Sequence, residues 1–375
     1  MSDPKGPISA STGSPAVAPK PVALEFFAGS GLVAEALRPF FSIVWANDIC
    51  EKKTATYLAN HRPPTFHVGS IEHVSGRTLP AAALAWASFP CQDLSLAGNL
   101  HGIESARSGL VWQWLRVLVE MPKRPRLLVA ENVLGFVSAS GGTYYRAVHE
   151  RLTELGYRVG AVVLDAANWL PQSRPRVFVI AVNSDDTLTD VETRGPTWCH
   201  PVAIQRAAAL VRSFAWWRIP EPSTAPKTLS SIIDFDAPTD APGKAKHNLA
   251  LIPPRHRARM HEAVNGKSTV FPGYKRTRGG KQVLELRFDG IAGCLRTPRG
   301  GSSRQVLVLY KKGRFETRLL TVREAARLMG VRDSFRIIGS YNDGYRAMGD
   351  AVAVPAVRHL ARHLLFPLSR RTENR

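Results

Sequence analysis

The sequence is poor in cysteine, and the spacing of its cysteines excludes two common kinds of site. The 375 residues include four cysteines, at positions 50, 91, 199 and 294. Because none of them forms a C-x-x-C pair, the sequence indicates neither a structural zinc site nor a disulfide framework. We therefore expect no bound metal, and we expect a reducing compartment in which a thiol stays free.

Long apolar runs and a secretory signal are also missing. No stretch approaches the length of apolar chain that crosses a bilayer, so no segment is predicted to span a membrane. The first residues lack the pattern of a signal peptide. Residues 1–20 are instead rich in Pro, Ser, Gly and Ala, which predicts a disordered leader.

Acidic residues are scarce relative to basic ones. There are 30 Asp and Glu against 50 Lys and Arg, which gives a formal net charge of +20 and a pI of about 10.3. Such a balance attracts polyanions, of which nucleic acid is the usual one, and an anionic membrane surface is the competing interpretation. The excess is uneven, because residues 253–304 carry twelve Lys and Arg against three acids. The second half of the chain is therefore predicted to hold the polyanion-binding surface.

The first half of the chain alternates short apolar segments with amphipathic ones. The apolar segments predict strands and the amphipathic ones predict the helices between them. Predicted strands cover residues 22–27, 43–47, 84–89, 127–131, 159–165 and 177–181, and predicted helices cover 32–37, 52–59, 110–119 and 144–155. This order predicts an α/β domain over residues 21–182, in which a parallel, Rossmann-like sheet has helices on both faces. Ligands of such sheets bind beyond the carboxyl ends of the strands.

The alternation is lost after Asn183. Residues 183–305 are irregular and contain proline clusters, which predicts a second, smaller domain. Residues 306–338 are predicted to form a hinge and a returning helix, which Thr321 caps with Glu324 three residues later. Residues 348–365 regain apolar, helical character, and residues 339–368 are predicted to complete the first domain, before a basic tail at residues 369–375.

A glycine turn and an acid mark one ligand site. Phe27-Ala28-Gly29-Ser30-Gly31 follows a strand and precedes a helix, so its glycines let a ligand approach the backbone, although an ordinary tight turn explains them equally well. Asp48 favours the ligand site, because a carboxylate at the end of the next strand suits the two hydroxyls of a ribose. The third glycine of a dinucleotide site is absent. The pattern therefore favours an adenosine ligand without phosphates, such as S-adenosylmethionine.

A thiol and a carboxyl group mark a second site. Pro90-Cys91-Gln92 follows one predicted strand, and Glu131-Asn132-Val133 closes the next among apolar residues. A carboxyl group in such surroundings has a raised pKa and can give or share a proton near neutral pH. In isolation, Cys91 is better interpreted as a buried structural residue. Together, the two groups are what conjugate addition to a pyrimidine requires.

Two arginines precede the last predicted strand of this domain. In Gln172-Ser173-Arg174-Pro175-Arg176 the two guanidinium groups lie two residues apart on an extended segment, so they point the same way. They can hold a phosphate, a base carbonyl or Glu131, and a pair of solvated arginines is the alternative. The adjoining strand favours a position at the same sheet edge as Cys91.

These segments resemble the DNA (cytosine-5)-methyltransferase family. The resemblance runs in order through nearly the whole chain, with compatible gaps. It rests on Phe27-Ala28-Gly29-Ser30-Gly31, Asn47-Asp48, Phe89-Pro90-Cys91-Gln92, Arg107-Ser108-Gly109-Leu110, Glu131-Asn132-Val133, Gln172-x-Arg174-x-Arg176 and Gly349-Asp350-Ala351-Val352 with Pro355. It implies a bacterial enzyme that transfers the methyl group of S-adenosylmethionine to C5 of a flipped-out cytosine, after Cys91 has added to C6.

The resemblance also implies a role for each matched residue. Catalytic roles fall on Cys91, Glu131, Arg174 and Arg176. Cofactor contacts fall on Phe27, Ala28, Gly29, Gly31, Asn47, Asp48, Ile49, Ser70, Ile71, Pro90, Leu110, Asp350 and Val352. DNA contacts fall on Gln92, Ser95, Asn132, Gln172, Arg299, Gly300, Gly301 and Ser302. Residues 183–305 take the position of the family's target-recognition domain.

The chain departs from the family pattern at two positions near the cofactor. The family usually has Asp after the glycine of its third cofactor motif, where this chain has Gly69-Ser70-Ile71. A strong acceptor for the adenine amino group is thereby replaced by a weaker hydroxyl. The terminal motif usually has Asn where Asp350 stands. We expect both departures to lower cofactor affinity without touching the chemistry.

Two other functions compete with DNA methylation. Dedicated RNA cytosine-5 enzymes place the attacking cysteine where Glu131-Asn132-Val133 stands here, and the Cys-Phe-Thr signature of DNA-type enzymes that act on transfer RNA is absent. A non-catalytic DNA-binding relic is disfavoured by the intact Cys91, Glu131 and Arg176. We expect double-stranded DNA as the partner, with a cognate restriction or phage-defence system as a further candidate. We also expect a cytoplasmic, nucleoid-associated monomer without membrane contact.

Overall fold

Seven strands form the main sheet in the computed structural model, which describes residues 19–90, 109–183, 188–264, 269–296 and 304–371. In chain order, β1 to β7 are Val22–Phe26, Ser42–Asp48, Thr65–Val68, Leu84–Ala87, Leu127–Asn132, Tyr157–Asp165 and Pro175–Asn183. Their order across the sheet is β3-β2-β1-β4-β5-β7-β6. Six of them lie where the apolar segments predicted strands. The seventh, β3, was not predicted, because it is short and lies only partly buried at the sheet edge.

The sheet is mixed. The strands from β1 to β5 pair in parallel, but β7 is antiparallel to both β5 and β6. The predicted parallel arrangement is therefore wrong at β7. The physical reason is the short connection over residues 166–174, because a parallel crossover needs about a dozen residues or more.

Helices cover both faces of this sheet, as predicted. They are α1 to α5, at Leu32–Leu37, Glu51–Asn60, Leu110–Glu120, Gly135–Ser138 and Thr143–Glu154. Successive side chains of a strand point to opposite faces. In β4, Leu84 and Trp86 accordingly join the core that contains α1, whereas Ala85 and Ala87 join the core that contains α3 and α5.

The chain that follows β7 packs on the same sheet. It contains β8 (Glu192–Thr193), α6 (Val202–Ala208) and β9 (Trp216–Trp217). The N–H of Ala215 donates to the carbonyl of Val159 on β6 (2.8 Å), and Trp217 is fully buried in a core cluster of the sheet. Residues 188–233 thus share the core of the large sheet, although the sequence pattern assigned them to the smaller domain.

A second, smaller sheet lies beyond this region. Helices α7 (Pro242–Ala250) and α8 (Pro254–Glu262) precede its strands. The strands β10 to β13 are Thr269–Arg278, Lys281–Leu286, Gln305–Lys311 and Arg314–Leu319. They pair antiparallel in the order β11-β10-β12-β13. The region is more regular than the sequence indicated, and β12 and β13 occupy the start of the segment that was expected to be a hinge.

The last helices return the chain to the large sheet. They are α9 to α12, at Val322–Leu328, Tyr341–Asp350, Val354–Leu360 and Phe366–Ser369. The predicted cap of α9 is confirmed, because Thr321 accepts from the N–H of Glu324 while the Glu324 carboxylate accepts from the N–H of Thr321. Among the described residues, no helix is long and apolar enough to cross a membrane, and no group of His, Cys, Asp and Glu is arranged to hold a metal ion.

Candidate active site

The carboxyl ends of β2, β1, β4 and β5 lie side by side along one edge of the large sheet. Phe26 pairs with Asn47 on β2 and with Ala87 on β4, and Ala87 pairs with Ala130 on β5. Because β7 runs in the opposite direction, its amino end reaches this same edge. The segments that follow β2, β1, β4 and β5 therefore lie at the same edge as the segment that precedes β7.

The turn after β1 has a backbone that favours glycine. Phe27, Gly29 and Gly31 have φ angles of 54°, 56° and 85°, in the left-handed region. A Cβ atom at Gly31 would lie 2.7 Å from the His61 ring, so a side chain does not fit there. A Cβ atom at Gly29 would have no neighbour within 4 Å. The outer side of the turn is therefore open to a ligand.

Asp48 fastens this turn to the end of β2. Its Oδ2 accepts from the N–H of Gly29, and its Oδ1 accepts from the N–H of Cys50, both at 2.8 Å. Each carboxylate oxygen keeps a further lone pair. Ala28 is buried beneath the turn, whereas the Ile49 side chain is 71% exposed. Asp48 and Ile49 thus face the ligand edge together, as a polar group beside an apolar one.

Asn47 supports the site from inside the protein. Its buried amide donates to the carbonyls of His67 (3.1 Å) and Gly69 (2.8 Å), which ties β2 to the end of β3. Ser70 follows and caps a short 3-10 turn, because its hydroxyl oxygen accepts from the N–H of Glu72 at 3.3 Å. Ile71 is buried in the core. Asn47 and Ile71, two of the predicted cofactor residues, thus hold the segment that follows β3 in place.

A buried carboxyl group lies at the end of β5. Glu131 is 5% exposed, and burial raises the pKa of its carboxyl group above the usual value. The nearby Arg176 guanidinium opposes that rise, since its Nε lies 3.3 Å from Glu131 Oε1. A hydrogen bond from Ser88 also lowers the pKa. Sequence reasoning missed Ser88, whose only signal was its place at the end of β4.

The segment before the predicted nucleophile is anchored by Asn132. Its Nδ2 donates to the carbonyl of Phe89 (3.0 Å), and its Oδ1 accepts from the N–H of Val133 (2.8 Å). Asn132 was predicted to touch DNA, but the structure gives its amide this internal role. Pro90 is exposed, and Leu110 begins α3. Cys91, Gln92 and Ser95 lie outside the described residues, as do Arg299, Gly300, Gly301 and Ser302.

Arg174 does not lie beside Glu131 as its neighbour Arg176 does. It is 1% exposed, and Nη1 donates to Cys294 Sγ (3.2 Å) and to the carbonyl of Leu295 (2.9 Å). Nη2 donates to the carbonyls of Gly349 (2.7 Å) and Ala351 (2.5 Å). Burial lowers the pKa of Arg174 to about 10, which leaves it charged at neutral pH. Arg174 therefore joins the large sheet to the segment before β12 and to the terminal motif.

Gln172 is likewise an internal connector. Its side chain is fully buried, with Nε2 donating to the carbonyl of Leu328 (2.6 Å) and Oε1 accepting from the N–H of Leu295 (3.2 Å). Both ends of the amide are therefore engaged. The predicted DNA contact by Gln172 has no support in this geometry.

The terminal motif is fixed beside the glycine turn. The Ser30 hydroxyl donates to the carbonyl of Ala347 on α10 (3.2 Å). At the end of the same helix, Asp350 Oδ2 lies 2.6 Å from Nζ of Lys53 on α2. Val352 is buried. The structure thus brings Asp350 to the side of the edge that bears the glycine turn, with its carboxylate paired to Lys53.

An arginine-lined pocket of about 430 Å³ opens on the small sheet. Its basic walls are Arg255, Arg276, Arg278, Arg287 and Arg296. Arg278 pairs with Glu285 and Arg287 with Asp289, but the other three have no carboxylate partner among the described residues. Two of these three lie over the ring of Tyr274, which is also part of the wall. The pocket therefore presents uncompensated positive charge, as the basic run in the sequence predicted.

Comparison with known proteins identifies the family. A family model described as C-5 cytosine-specific DNA methylase matches residues 23–365. The Type II methyltransferase M.MspI of Moraxella sp is 24% identical over 351 residues, which are 92% of this chain and 70% of that protein. The Type II methyltransferase M.FnuDI of Fusobacterium nucleatum is 26% identical over 352 residues, 91% of this chain and 93% of that protein.

A solved structure supports the fold independently. The S. pombe Dnmt2 methyltransferase superposes with a TM-score of 0.59 at 19% identity, over 93% of this chain and 99% of that chain. That likeness concerns the arrangement of strands and helices alone. With the family match over residues 23–365, the chain belongs to the C-5 cytosine-specific DNA methylase family and is a methyltransferase.

Proposed function

We propose that the protein transfers the methyl group of S-adenosylmethionine to C5 of cytosine at a specific site in duplex DNA, through a covalent bond between Cys91 and C6. The observation that carries this proposal is the buried Glu131, which Arg176 and Ser88 contact at the sheet edge. That edge also bears the open glycine turn and Asp48. A proton donor and a place for an adenosine ligand on one edge are what the reaction requires.

The nucleotide side of the edge fits S-adenosylmethionine. The space over Gly29 admits a ligand close to the backbone, and Asp48 keeps lone pairs for two ribose hydroxyls. Ile49 offers an exposed apolar surface for a flat ring. When bound, this cofactor supplies an electrophilic methyl group.

The chain's own residues then prepare the cytosine. The Cys91 thiolate adds to C6, and the S–C6 bond forms as the C5–C6 double bond opens. Glu131 hydrogen-bonds or protonates N3, so negative charge does not build up on the ring. C5 becomes nucleophilic and accepts the methyl group. Loss of the C5 proton to water, expulsion of the Cys91 thiolate and return of any N3 proton to Glu131 restore the aromatic base and the starting protein.

Arg176 has two tasks in this scheme. Its guanidinium keeps Glu131 oriented, and its position at the edge suits a hydrogen bond to O2 of the same cytosine. Arg174 is a positioning residue, because its donors are engaged by other parts of the chain. The proposal therefore assigns the base contact to Arg176 alone.

Duplex DNA must release the base before this chemistry can occur. A flipped cytosine exposes C6 to a thiolate, whereas a stacked one does not. The arginine-lined pocket on the small sheet supports duplex DNA as the substrate, since guanidinium groups without carboxylate partners attract phosphates. The likeness to Type II methyltransferases supports a link to a restriction or phage-defence system.

A labelling experiment tests the function. The purified protein is incubated with labelled S-adenosylmethionine and either unmethylated duplex DNA or transfer RNA. We expect label in cytosine C5 of the DNA only. Label in transfer RNA alone would instead support the RNA alternative, and no transfer to either would support a non-catalytic DNA-binding protein.

A mechanism-specific trap tests the role of Cys91. A duplex that carries 5-fluorocytosine at the target cannot lose a C5 proton, so the adduct should survive denaturation. Cys91→Ser should form no such adduct while still binding the duplex. Undiminished turnover by this variant would overturn the assignment of the nucleophile.

A further inference from the structure

Two exposed apolar side chains flank the ribose acid. Ile49 is 71% exposed and Val68 is 47% exposed. Asp48 pairs with Val68 across β2 and β3, and Ile49 follows it directly. Apolar groups exposed at a ligand edge suit the face of a flat ring. An adenine whose ribose is held by Asp48 would lie here, with its amino group near the turn that follows β3.

Most main-chain carbonyls of that turn, together with that of His67 on β3, are already engaged by the protein. Asn47 donates to two of them, Arg116 on α3 donates to three, and an N–H within the turn takes one more. The engaged carbonyls are those of His67, Gly69, Ser70, Ile71, Glu72 and Val74. The backbone of the turn is therefore a poor source of acceptors for a ligand.

The hydroxyl of Ser70 is also committed. It accepts from the N–H of Glu72 at 3.3 Å and donates to Glu72 Oε2 at 3.4 Å. The Glu72 side chain is exposed, and no basic group pairs with its carboxylate in the described part of the chain. Among the described acceptors of this turn, the Glu72 carboxylate is the acidic one, and its Oε1 has no donor in the described part of the chain.

Arg116 makes the turn rigid. Besides the three carbonyls of the turn, its guanidinium donates to Gln113 (2.9 Å) and to Glu120 (2.5 Å) on its own helix. The turn is thereby attached to α3. A carboxylate on a rigid turn loses little freedom when it binds a ligand, which favours a strong hydrogen bond.

We infer that the Glu72 carboxylate, oriented by Ser70, accepts a hydrogen bond from the amino group of the cofactor's adenine. It takes over the role for which the family usually has Asp at position 70. The carboxylate has moved two residues along the chain, and the Ser70 hydroxyl holds it beside the original position. The inference rests on the proposed function, because it assumes an adenosine ligand.

A ligand-binding experiment without DNA tests it. The binding of S-adenosylhomocysteine is measured by calorimetry and compared with that of its 6-deamino counterpart, in which hydrogen replaces the amino group. We expect Glu72→Ala to weaken S-adenosylhomocysteine about tenfold, as for loss of a hydrogen bond to a charged group. The 6-deamino ligand should bind the wild type and this variant equally.

A second variant returns the carboxylate to position 70. Ser70→Asp combined with Glu72→Ala should regain most of the affinity for S-adenosylhomocysteine. Its affinity for the 6-deamino ligand should stay the same as that of Glu72→Ala. Glu262→Ala, which removes an exposed glutamate from α8, is the matched control and should change neither. Equal losses for both ligands in Glu72→Ala, or no loss for either, would overturn the inference. A wild type that binds neither ligand would overturn the proposed function itself.

Discussion

The sheet edge has two halves, which we propose to be a nucleotide half and a catalytic half, and each carries a carboxyl group in different surroundings. At the nucleotide half, the Asp48 carboxylate accepts from two main-chain N–H groups, next to exposed apolar surface. At the catalytic half, the Glu131 carboxyl is buried, and its pKa is raised by that burial. Both carboxyl groups are buried, so the comparison teaches that their partners set them apart: main-chain N–H groups hold Asp48, whereas the side chains of Arg176 and Ser88 contact Glu131.

The largest effect is expected at the catalytic half. Glu131→Gln keeps the shape of the side chain but removes the acid, so kcat should fall roughly 10²-fold to 10⁴-fold. Binding of S-adenosylhomocysteine should be unchanged, because the nucleotide half is untouched. Steady-state methylation and calorimetry measure the two quantities. A matched fall in both would mean that the two halves do not act separately.

The connection behind the catalytic half is tested through Arg174. Arg174→Gln removes a buried guanidinium that donates to four acceptors, two on each side of the junction. Leaving such groups unpaired should lower the free energy of unfolding by about 3 kcal/mol. Thermal and urea unfolding check this. Arg176→Gln is the control, since that side chain makes fewer contacts and should cost less stability.

The pH dependence tests whether Glu131 acts as an acid. Its carboxyl must be protonated to donate, so kcat should fall as pH rises through its raised pKa. Arg176 opposes the rise, so in Arg176→Gln the pKa of Glu131 should go up and the fall in kcat should move to higher pH. The kcat of the wild type and of Arg176→Gln is measured across pH at saturating substrate. A shift to lower pH would contradict this electrostatic assignment.

The nucleotide half should respond in affinity rather than in rate. Asp48→Asn weakens the acceptor for the ribose hydroxyls, so S-adenosylmethionine should bind about tenfold more weakly. At saturating cofactor, kcat should stay within about twofold, since the Glu131 site is intact. The comparison is confirmed if Asp48→Asn changes mainly KM for the cofactor while Glu131→Gln changes mainly kcat.

The smallest effect is expected on the small sheet, away from both halves. Arg276→Gln and Arg296→Gln should each reduce the slope of log affinity for duplex DNA against log salt by about 0.9. Arg278→Gln is the matched control, because its charge is already paired with Glu285 and its slope change should be smaller. Slopes that stay at the wild-type value in all three variants would show that the pocket does not bind phosphates.

The strands and helices of the first half could be predicted from the sequence because their apolar periods are local. The chemistry-bearing residues could also be placed at strand ends in this way. The sequence did not reveal strand direction. It predicted a parallel sheet and also put Arg176 at the edge of Cys91, but the segment before a parallel strand would lie at the opposite edge. The antiparallel β7 makes the first of these predictions wrong and brings Arg176 to the edge where β5 ends. The short segment 166–174 was the signal that could have shown this.

The sequence by itself determined the family, the order of the motifs, and the position of an acid after each of two apolar strands. Only the tertiary structure decided which arginine meets Glu131. Arg174 and Arg176 are only two residues apart. Arg174 is nevertheless buried at a junction of three segments, whereas Arg176 lies beside the carboxyl group of Glu131. The physical reason is that each role depends on partners far along the chain, because the partners of Arg174 lie 120 to 177 residues away and Glu131 lies 45 residues before Arg176. A local pattern of apolar and polar residues carries no information about those distant contacts.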